Sequence, residues 1–140
     1  HAGELIFKPV QKSMNENFEK KVGSFRLQIE SRGKTEKEII IMASIVEREA
    51  KGNTDRENIA GILWRRISIG MPLQVDAAKE TYKNKGLPEN SICNPGLESI
   101  KAAIVVKSSP YLYYLHDKNG IVHYAKTFTE HNFNIKKYLK

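Results

Sequence analysis

The stretch TEKEIIIMASIVEREAKG, from Thr35 to Gly52, decides the fold because it predicts one helix that must lie inside the protein. Its first four residues form a capping box, in which the Thr35 hydroxyl and the Glu38 carboxylate accept hydrogen bonds from open backbone N–H groups. The helix continues over about 36–50 with apolar side chains on nearly every face, and Gly52 closes it. A helix that is apolar all round belongs in the middle of a core, so other elements must surround it.

The sequence on either side of this segment predicts two further helices. Residues 13–32 repeat apolar side chains at spacings of three and four, which is typical of an amphipathic helix, and Gly33 ends it. Thr54–Glu57 is a second capping box, and it opens a helix that stops at Gly70.

The segment 71–95 is irregular, with several prolines and glycines and one short helix expected around 77–83. After it, Asn94 is predicted to be an N-cap, and Pro95 occupies the first helical position of a helix that ends near Lys107.

The hydrophobic period changes only near the C-terminus. Tyr111–His116 and Ile121–Ala125 are rich in β-formers, and the turn Asp117–Gly120 between them contains Asn-Gly, which indicates a hairpin. Thr129 is predicted to cap a last helix. We therefore expect an α+β fold, mainly helical with one small β-hairpin, in a single domain of residues 1–140 whose first 34 residues are a looser lead-in.

Composition excludes several classes of protein. Hydrophobic residues make up 40% and charged residues 28% of the 140 residues, as in ordinary globular domains, and no apolar run reaches the roughly 18 residues that span a bilayer. The single cysteine, Cys93, excludes an internal disulfide, and the four histidines show no ligand spacing, so no metal or cofactor is expected. The lysines and arginines that give the net charge of +7 are interleaved with glutamates and form no long basic stretch. Nucleic acid is therefore a minor alternative as a partner.

Glu47 departs from the apolar pattern, because it lies one step beyond the most hydrophobic run in the chain. A carboxyl there is partly desolvated, which favours the protonated form that a general acid needs. A surface glutamate paired with Arg48, Lys51 or a partner on the next helix explains the pattern equally well. Glu49 points about 200° away around the helix, since each residue turns it by about 100°, and is expected to be a surface or supporting residue.

The irregular segment supplies polar side chains that suit a sugar cleft. Gln74, Asp76, Tyr82 and Asn94 carry amide, carboxyl and hydroxyl groups that bind sugar hydroxyl and acetamido groups. Polar loops are common, however, and Asn94 has an alternative role as a helix cap, as Asp76 has in a turn.

Six segments, taken in order, resemble the endolytic murein transglycosylase family of MltG or YceG-like proteins. They are Ala43–Ala50, Ile67–Asp76, Gly86–Pro88, Ile92–Ala103, Tyr111–Tyr113 and Glu130–Asn132. A looser likeness extends towards the N-terminus, at Glu4–Phe7 and at Asn17 and Phe18. Their order over residues 43 to 132 makes the resemblance specific.

The resemblance implies a lysozyme-like catalytic domain of a carbon–oxygen lyase that acts on peptidoglycan. Such enzymes cut nascent glycan strands at the β-1,4 bond between N-acetylmuramic acid and N-acetylglucosamine and leave 1,6-anhydro-muramic ends. They are anchored in the bacterial inner membrane by an N-terminal helix, which we expect to be absent from this chain, and act on the periplasmic side. Peptidoglycan synthases are candidate protein partners; nucleic acid is not expected.

The resemblance also implies roles for individual residues. The family's catalytic glutamate maps onto Glu47, whose one carboxyl acts first as acid and then as base. Gln74, Asp76 and Asn94 match family motif positions and are candidates for contacts with substrate. The weaker candidates for substrate binding are Tyr82, His131 and Asn132.

One departure from the family lies between Asp76 and Gly86, where family members carry a longer segment that ends in Tyr-Asn-Thr-Tyr. Only Thr81 and Tyr82 match that ending, so one wall of the cleft is expected to be shortened. This leaves a glycan-binding module with impaired catalysis as the main alternative. A hydrolase that uses water and a basic nucleic-acid binder are two others.

Overall fold

The computed structural model describes residues 25–50 and 53–140. Its helices are α1 (Arg26–Ser31), α2 (Glu36–Glu49), α3 (Asn53–Ser68), α4 (Leu97–Val105) and α5 (Phe128–Asn134). A 3-10 turn, Lys79–Tyr82, lies between α3 and α4, and a π-helical turn, Ile135–Leu139, continues α5. The strands β1 (Tyr113–His116) and β2 (Val122–Ala125) form one antiparallel hairpin. The α+β class with a small hairpin is confirmed. Helix α1 is the end of the helix predicted over 13–32, and residues 13–24 of that prediction lie outside the described residues.

Helix α2 is the centre of the core, as its sequence predicts. All eight residues from Ile39 to Val46 are buried, and α2 packs against both α3 and α4. The capping box forms at its start, since the Thr35 hydroxyl accepts from the Glu38 N–H at 3.0 Å and the Glu38 carboxylate accepts from the Thr35 N–H at 2.8 Å. At its other end, the helix stops at Glu49, just where the chain leaves the core.

The one polar residue within this buried run, Ser44, connects α2 to the loop before α4. Its hydroxyl donates to the Ile41 carbonyl at 2.7 Å and accepts from the Ile92 N–H at 3.1 Å, while the Cys93 thiol lies 3.3 Å from the Ser44 carbonyl oxygen. The hydroxyl is thus satisfied although it is buried, as a polar group in a core must be.

Three of the predicted helix starts are shifted. Helix α4 begins at Leu97 with Gly96 as its N-cap, so the prediction that Asn94 caps it is wrong. Helix α5 begins at Phe128, and Thr127, not Thr129, is its cap, with the hydroxyl accepting from the Glu130 N–H at 3.1 Å. Helix α3 begins at Asn53, one residue before the predicted cap Thr54, whose side chain lies outside the described part of the chain.

The hairpin is attached to the helices through its two central tyrosines, Tyr114 and Tyr124, which face each other in the strand register. On β2, the Tyr124 hydroxyl donates to the Asp55 carboxylate at 3.1 Å and accepts from the Asn58 amide at 3.2 Å. Burial, above all, raises the pKa of Tyr124 to about 12, so its hydroxyl stays protonated. The hairpin is therefore held against the start of α3.

A second attachment runs through Arg66, a buried residue near the end of α3. Its guanidinium donates to the Leu73 carbonyl at 2.6 Å and to the Leu112 carbonyl at 2.9 Å, so it joins the loop after α3 to the chain entering β1. The Arg66 guanidinium also lies 5.4 Å from the centre of the Tyr113 ring. Burial lowers the pKa of Arg66, but arginine remains a cation in proteins.

Helix α3 lies very close to the chain that turns after α4. Val106, its C-cap, has φ +50°, a left-handed conformation that a β-branched residue rarely adopts. The turn brings the Lys107 carbonyl oxygen so close to Gly61 that a methyl group at position 61 would overlap it. Only glycine therefore fits at this point of α3.

Among the described residues, the structure contains no helix that is both long enough and apolar enough to cross a membrane.

We expect Gly61→Ala to destabilise the protein, because the new methyl group displaces the Lys107 backbone. Overpacking costs about 1–3 kcal/mol, and a clash with backbone belongs at the upper end of that range, which exceeds the roughly 1 kcal/mol that alanine gains over glycine in a helix. Urea unfolding measures the change, with Lys37→Ala, at an exposed position of α2, as the control expected within about 0.5 kcal/mol of wild type. An unchanged or higher stability of Gly61→Ala would contradict the close approach.

We expect Arg66→Lys to lower the free energy of unfolding by about 1.5–3 kcal/mol, because an ammonium group lacks the planar fork that reaches both carbonyls. Hydrogen exchange of the hairpin amides should accelerate as well. The matched control is Arg65→Lys, since Arg65 donates to one carbonyl, that of Ser109, at 3.1 Å. Equal effects of the two substitutions would show that the bridge contributes nothing.

Candidate active site

A cleft of about 340 Å³ opens between the C-terminal end of α2 and the hairpin. Its walls come from five parts of the fold: α2, α3, the loop 73–76 with the 3-10 turn, β1, and α5. The residues that line it are Glu49, Arg66, Leu73, Gln74, Asp76, Tyr82, Tyr113, Tyr114, Leu115, His116, Phe128 and His131. Most of these side chains are polar or aromatic, a composition that suits a ligand rich in hydroxyl and amide groups.

Glu49 is the acid that α2 contributes to this cleft. As the last residue of the helix it is partly buried, and its Oε1 accepts a hydrogen bond of 2.7 Å from the Tyr114 hydroxyl. The expectation that Glu49 is a surface or supporting residue stays a prediction, and the structure adds that Glu49 lines the cleft. The helical phase that separates it from Glu47 is as predicted, but the cleft lies on the side of Glu49.

Glu47 faces the start of α4 and does not line the cleft. Its Oε1 accepts from the Gly96 N–H at 3.1 Å and from the Ser99 hydroxyl at 2.7 Å. A carboxylate at a helix N-terminus satisfies open N–H groups and interacts favourably with the helix dipole. Glu47 thus replaces the side-chain cap that Asn94 was expected to provide. This geometry gives Glu47 a structural role, and its predicted role as the acid remains a prediction.

Three of the predicted substrate residues meet on one wall of the cleft. Gln74 has φ +54°, a left-handed conformation that is strained for a residue other than glycine, and strain of this kind gathers at functional sites. Its N–H donates to the Thr81 carbonyl at 3.2 Å, which anchors the loop to the 3-10 turn. Asp76 and Tyr82 are exposed and joined by a short hydrogen bond from the Tyr82 hydroxyl, which is the main cause that raises the pKa of Tyr82.

The opposite wall contains His131, whose ring stacks on Tyr113 at 5.1 Å between centroids. Burial, and then the charge of Arg66, lower the pKa of His131, so the imidazole is neutral near neutral pH. Phe128 lies beside it and is 61% exposed although it lines the cleft. An exposed aromatic ring at a cleft is a surface on which a sugar ring can stack.

The remaining predicted residues, Asn94 and Asn132, lie outside the cleft. Asn94 is exposed in the loop before α4, and Asn132 is partly buried on α5, next to His131. Sequence reasoning missed Arg66, Tyr113, Tyr114, His116 and Phe128. Of these, Tyr113, Tyr114 and His116 lie in the segment predicted as a strand, but no local pattern marks them as part of a cleft.

The cleft can support acid–base chemistry with Glu49. Among the described residues, no group of three or more histidine, cysteine or acidic side chains is placed to hold a metal ion. Asp76 is the second carboxyl in the cleft, and its Oδ1 is occupied by the Tyr82 hydroxyl.

The chain matches known proteins over most of its length. The model of the YceG-like family matches residues 3–80 and 79–137. The two segments meet within the 3-10 turn, where the sequence predicts that part of the family's segment is missing.

Among curated proteins, the endolytic murein transglycosylase of Bacillus subtilis is 34% identical over 123 residues, covering 72% of this chain and 34% of that protein. That of Streptococcus pneumoniae is 27% identical over 149 residues, covering 86% of this chain and 27% of that protein. The chain thus spans about a third of the length of these relatives.

Among solved structures, a yceG-like protein from Listeria monocytogenes superimposes with a TM-score of 0.75 at 32% identity, covering 80% of this chain and 44% of that one. The family match, the relatives and the shared fold agree, and this chain belongs to the YceG-like family.

Proposed function

We propose that this domain cuts peptidoglycan glycan strands by lytic transglycosylation, with Glu49 as its acid and base. The observation that carries the proposal is the position of Glu49, which lies in the cleft and is held by Tyr114. Relatives named endolytic murein transglycosylase support the choice of substrate and reaction. The proposed reaction class is that of a carbon–oxygen lyase, and the proposed cut is the bond between N-acetylmuramic acid and N-acetylglucosamine.

The reaction needs one carboxyl in two protonation states. Protonated Glu49 gives its proton to the glycosidic oxygen as the C1–O bond breaks, and positive charge develops at C1 of the muramic acid. The carboxylate then takes the proton of the C6 hydroxyl of the same sugar, whose oxygen bonds to C1 and closes the 1,6-anhydro ring. Because the attacking oxygen belongs to the substrate, its effective concentration is high.

Other residues of the cleft supply binding and orientation. Gln74, Asp76, Tyr82 and His131 are proposed to contact the sugars. Arg66 keeps the loop and the hairpin at the spacing that forms the cleft. Asp76 is the second carboxyl of the cleft, and paired carboxylates are typical of glycosidases that use water. Its Oδ1 accepts from the Tyr82 hydroxyl, and we propose that Glu49 acts without it.

The proposed location follows from the substrate. Peptidoglycan lies outside the cytoplasm, so we place the domain on the extracytoplasmic side of a bacterial cell. Anchoring to the inner membrane, action on nascent strands and contact with peptidoglycan synthases are finer proposals that come from the family resemblance. The division into one catalytic domain with a lead-in over residues 1–34 is likewise a proposal.

We expect Glu49→Gln to lower the release of anhydro-ended products by at least about 100-fold while the protein still binds glycan strands, because glutamine has no proton to give. The matched variant Glu47→Gln keeps an acceptor for Gly96 and Ser99, and we expect it to retain turnover. Digestion of uncrosslinked glycan strands, followed by mass spectrometry, measures both.

Each alternative has its own outcome in this experiment. Loss of turnover in Glu47→Gln alone would make Glu47 the acid, as the sequence predicts. Products heavier by one water than anhydro ends would show a hydrolase. Binding of strands by the wild-type domain without any product would show a glycan-binding module.

A further inference from the structure

We propose that the Tyr114 hydroxyl is a positioning group that decides which oxygen of Glu49 carries the catalytic proton. By holding Oε1 as an acceptor, it leaves Oε2 as the oxygen that exchanges the proton with substrate. The inference rests on the proposed function, since it assigns a task within that reaction to a residue that does not itself touch the reacting atoms.

The contact is made between two well-fixed groups. Tyr114 lies in the middle of β1, opposite Tyr124, and packs against the hydrophobic core. Its ring meets His116 edge-on, with 6.1 Å between centroids and 87° between planes. Glu49 ends α2, the most deeply buried helix. The 2.7 Å hydrogen bond therefore joins the hairpin to the end of the core helix.

The direction of this hydrogen bond is fixed by the state of the tyrosine. Burial above all, and then the charge of Glu49 and the hydrogen bond to it, raise the pKa of Tyr114 well above its usual range. Tyr114 therefore keeps its proton, and while Glu49 is a carboxylate the Tyr114 hydroxyl donates to Oε1. A protonated carboxyl accepts through its carbonyl oxygen and donates through the other. A proton added at Oε2 keeps the hydrogen bond from Tyr114, whereas a proton at Oε1 requires that hydrogen bond to reverse, so the acid form carries its proton on Oε2.

Glu49 lines the cleft, and its second carboxylate oxygen is the one that Tyr114 does not hold. Within residues 25–50 and 53–140, no hydrogen bond to Glu49 Oε2 is present. The titratable and charged groups that share the cleft with it are Arg66, Asp76, Tyr82, Tyr113, His116 and His131. Oε2 can thus donate to the glycosidic oxygen and later accept the proton of the C6 hydroxyl, so that both proton transfers pass through one atom.

A spectroscopic experiment tests the contact without relying on turnover. The domain is labelled with 13C at the ζ carbon of tyrosine, and the Tyr114 resonance is identified by its loss in Tyr114→Phe. We expect Glu49→Gln to shift this resonance, because the accepting charge is removed, and Glu47→Gln to leave it in place. A Tyr114 resonance that does not respond to Glu49→Gln would overturn the inference.

Kinetics then test the positioning role. We expect Tyr114→Phe to lower kcat for anhydro-product release by about 10- to 100-fold, with KM changed less than about twofold, since the substrate contacts remain. The matched control is Tyr124→Phe. It removes a hydroxyl from the same hairpin that also donates to a carboxylate, that of Asp55, but lies outside the cleft. We expect it to keep the wild-type kcat.

The two readouts separate the possible failures. Wild-type kcat in Tyr114→Phe, or an equal loss in Tyr124→Phe, would overturn the positioning role. If the wild-type domain releases no anhydro product, the proposed function fails, and the resonance alone decides whether Tyr114 holds Glu49.

Discussion

The burial of α2 on all sides is the constraint on which the rest of the structure depends. Eight consecutive residues from Ile39 to Val46 are removed from water, so α3 and α4 must pack against the helix on different faces. Burial on this scale is the main favourable term in folding. It also fixes the axis and the end of the helix. The two glutamates of its last turn therefore project in set directions, one towards α4 and one towards the hairpin.

These two directions explain why one short motif holds both a structural and a candidate catalytic acid. Glu47 accepts from Gly96 and Ser99, and so determines where α4 begins. Glu49 accepts from Tyr114, and so determines where β1 lies. The two glutamates at the end of α2 thus fix the positions of both α4 and the hairpin. The difference between them is the surroundings: Glu49 lines the cleft and Glu47 does not.

Much of the fold could be predicted from local signals. The capping box at Thr35, the buried helix after it and the Asn-Gly hairpin each depend on residues close in sequence, and each is present. The shifted starts of α4 and α5 have different causes. At α4, a carboxylate from another helix supplies the cap, which no local pattern reveals. At α5, two threonines compete, and Thr127, three residues before Glu130, gives the better capping pattern.

The candidate site could be predicted only in part from the sequence. The helical period correctly separates Glu47 from Glu49, but a helix that is apolar all round does not show which side faces a cleft. The side of α2 that faces the cleft is determined by the position of the hairpin. Tyr114 and Arg66, which hold the hairpin, are distant in sequence from both acids. Gln74 and Asp76 were found through motif order, and the structure brings them into the same cleft as Glu49.

Arg66 has a further consequence for how such a domain can vary. Its guanidinium spans the Leu73 and Leu112 carbonyls, so the gap between the two walls is set by the reach of one side chain. The chain between these anchor points contains the place where the family match is divided. Residues can be gained or lost there without altering the distance between the anchors. The width of the cleft is therefore separate from the length of the loop beside it. The loop can change in length during evolution while the distance between the two anchored segments stays constant.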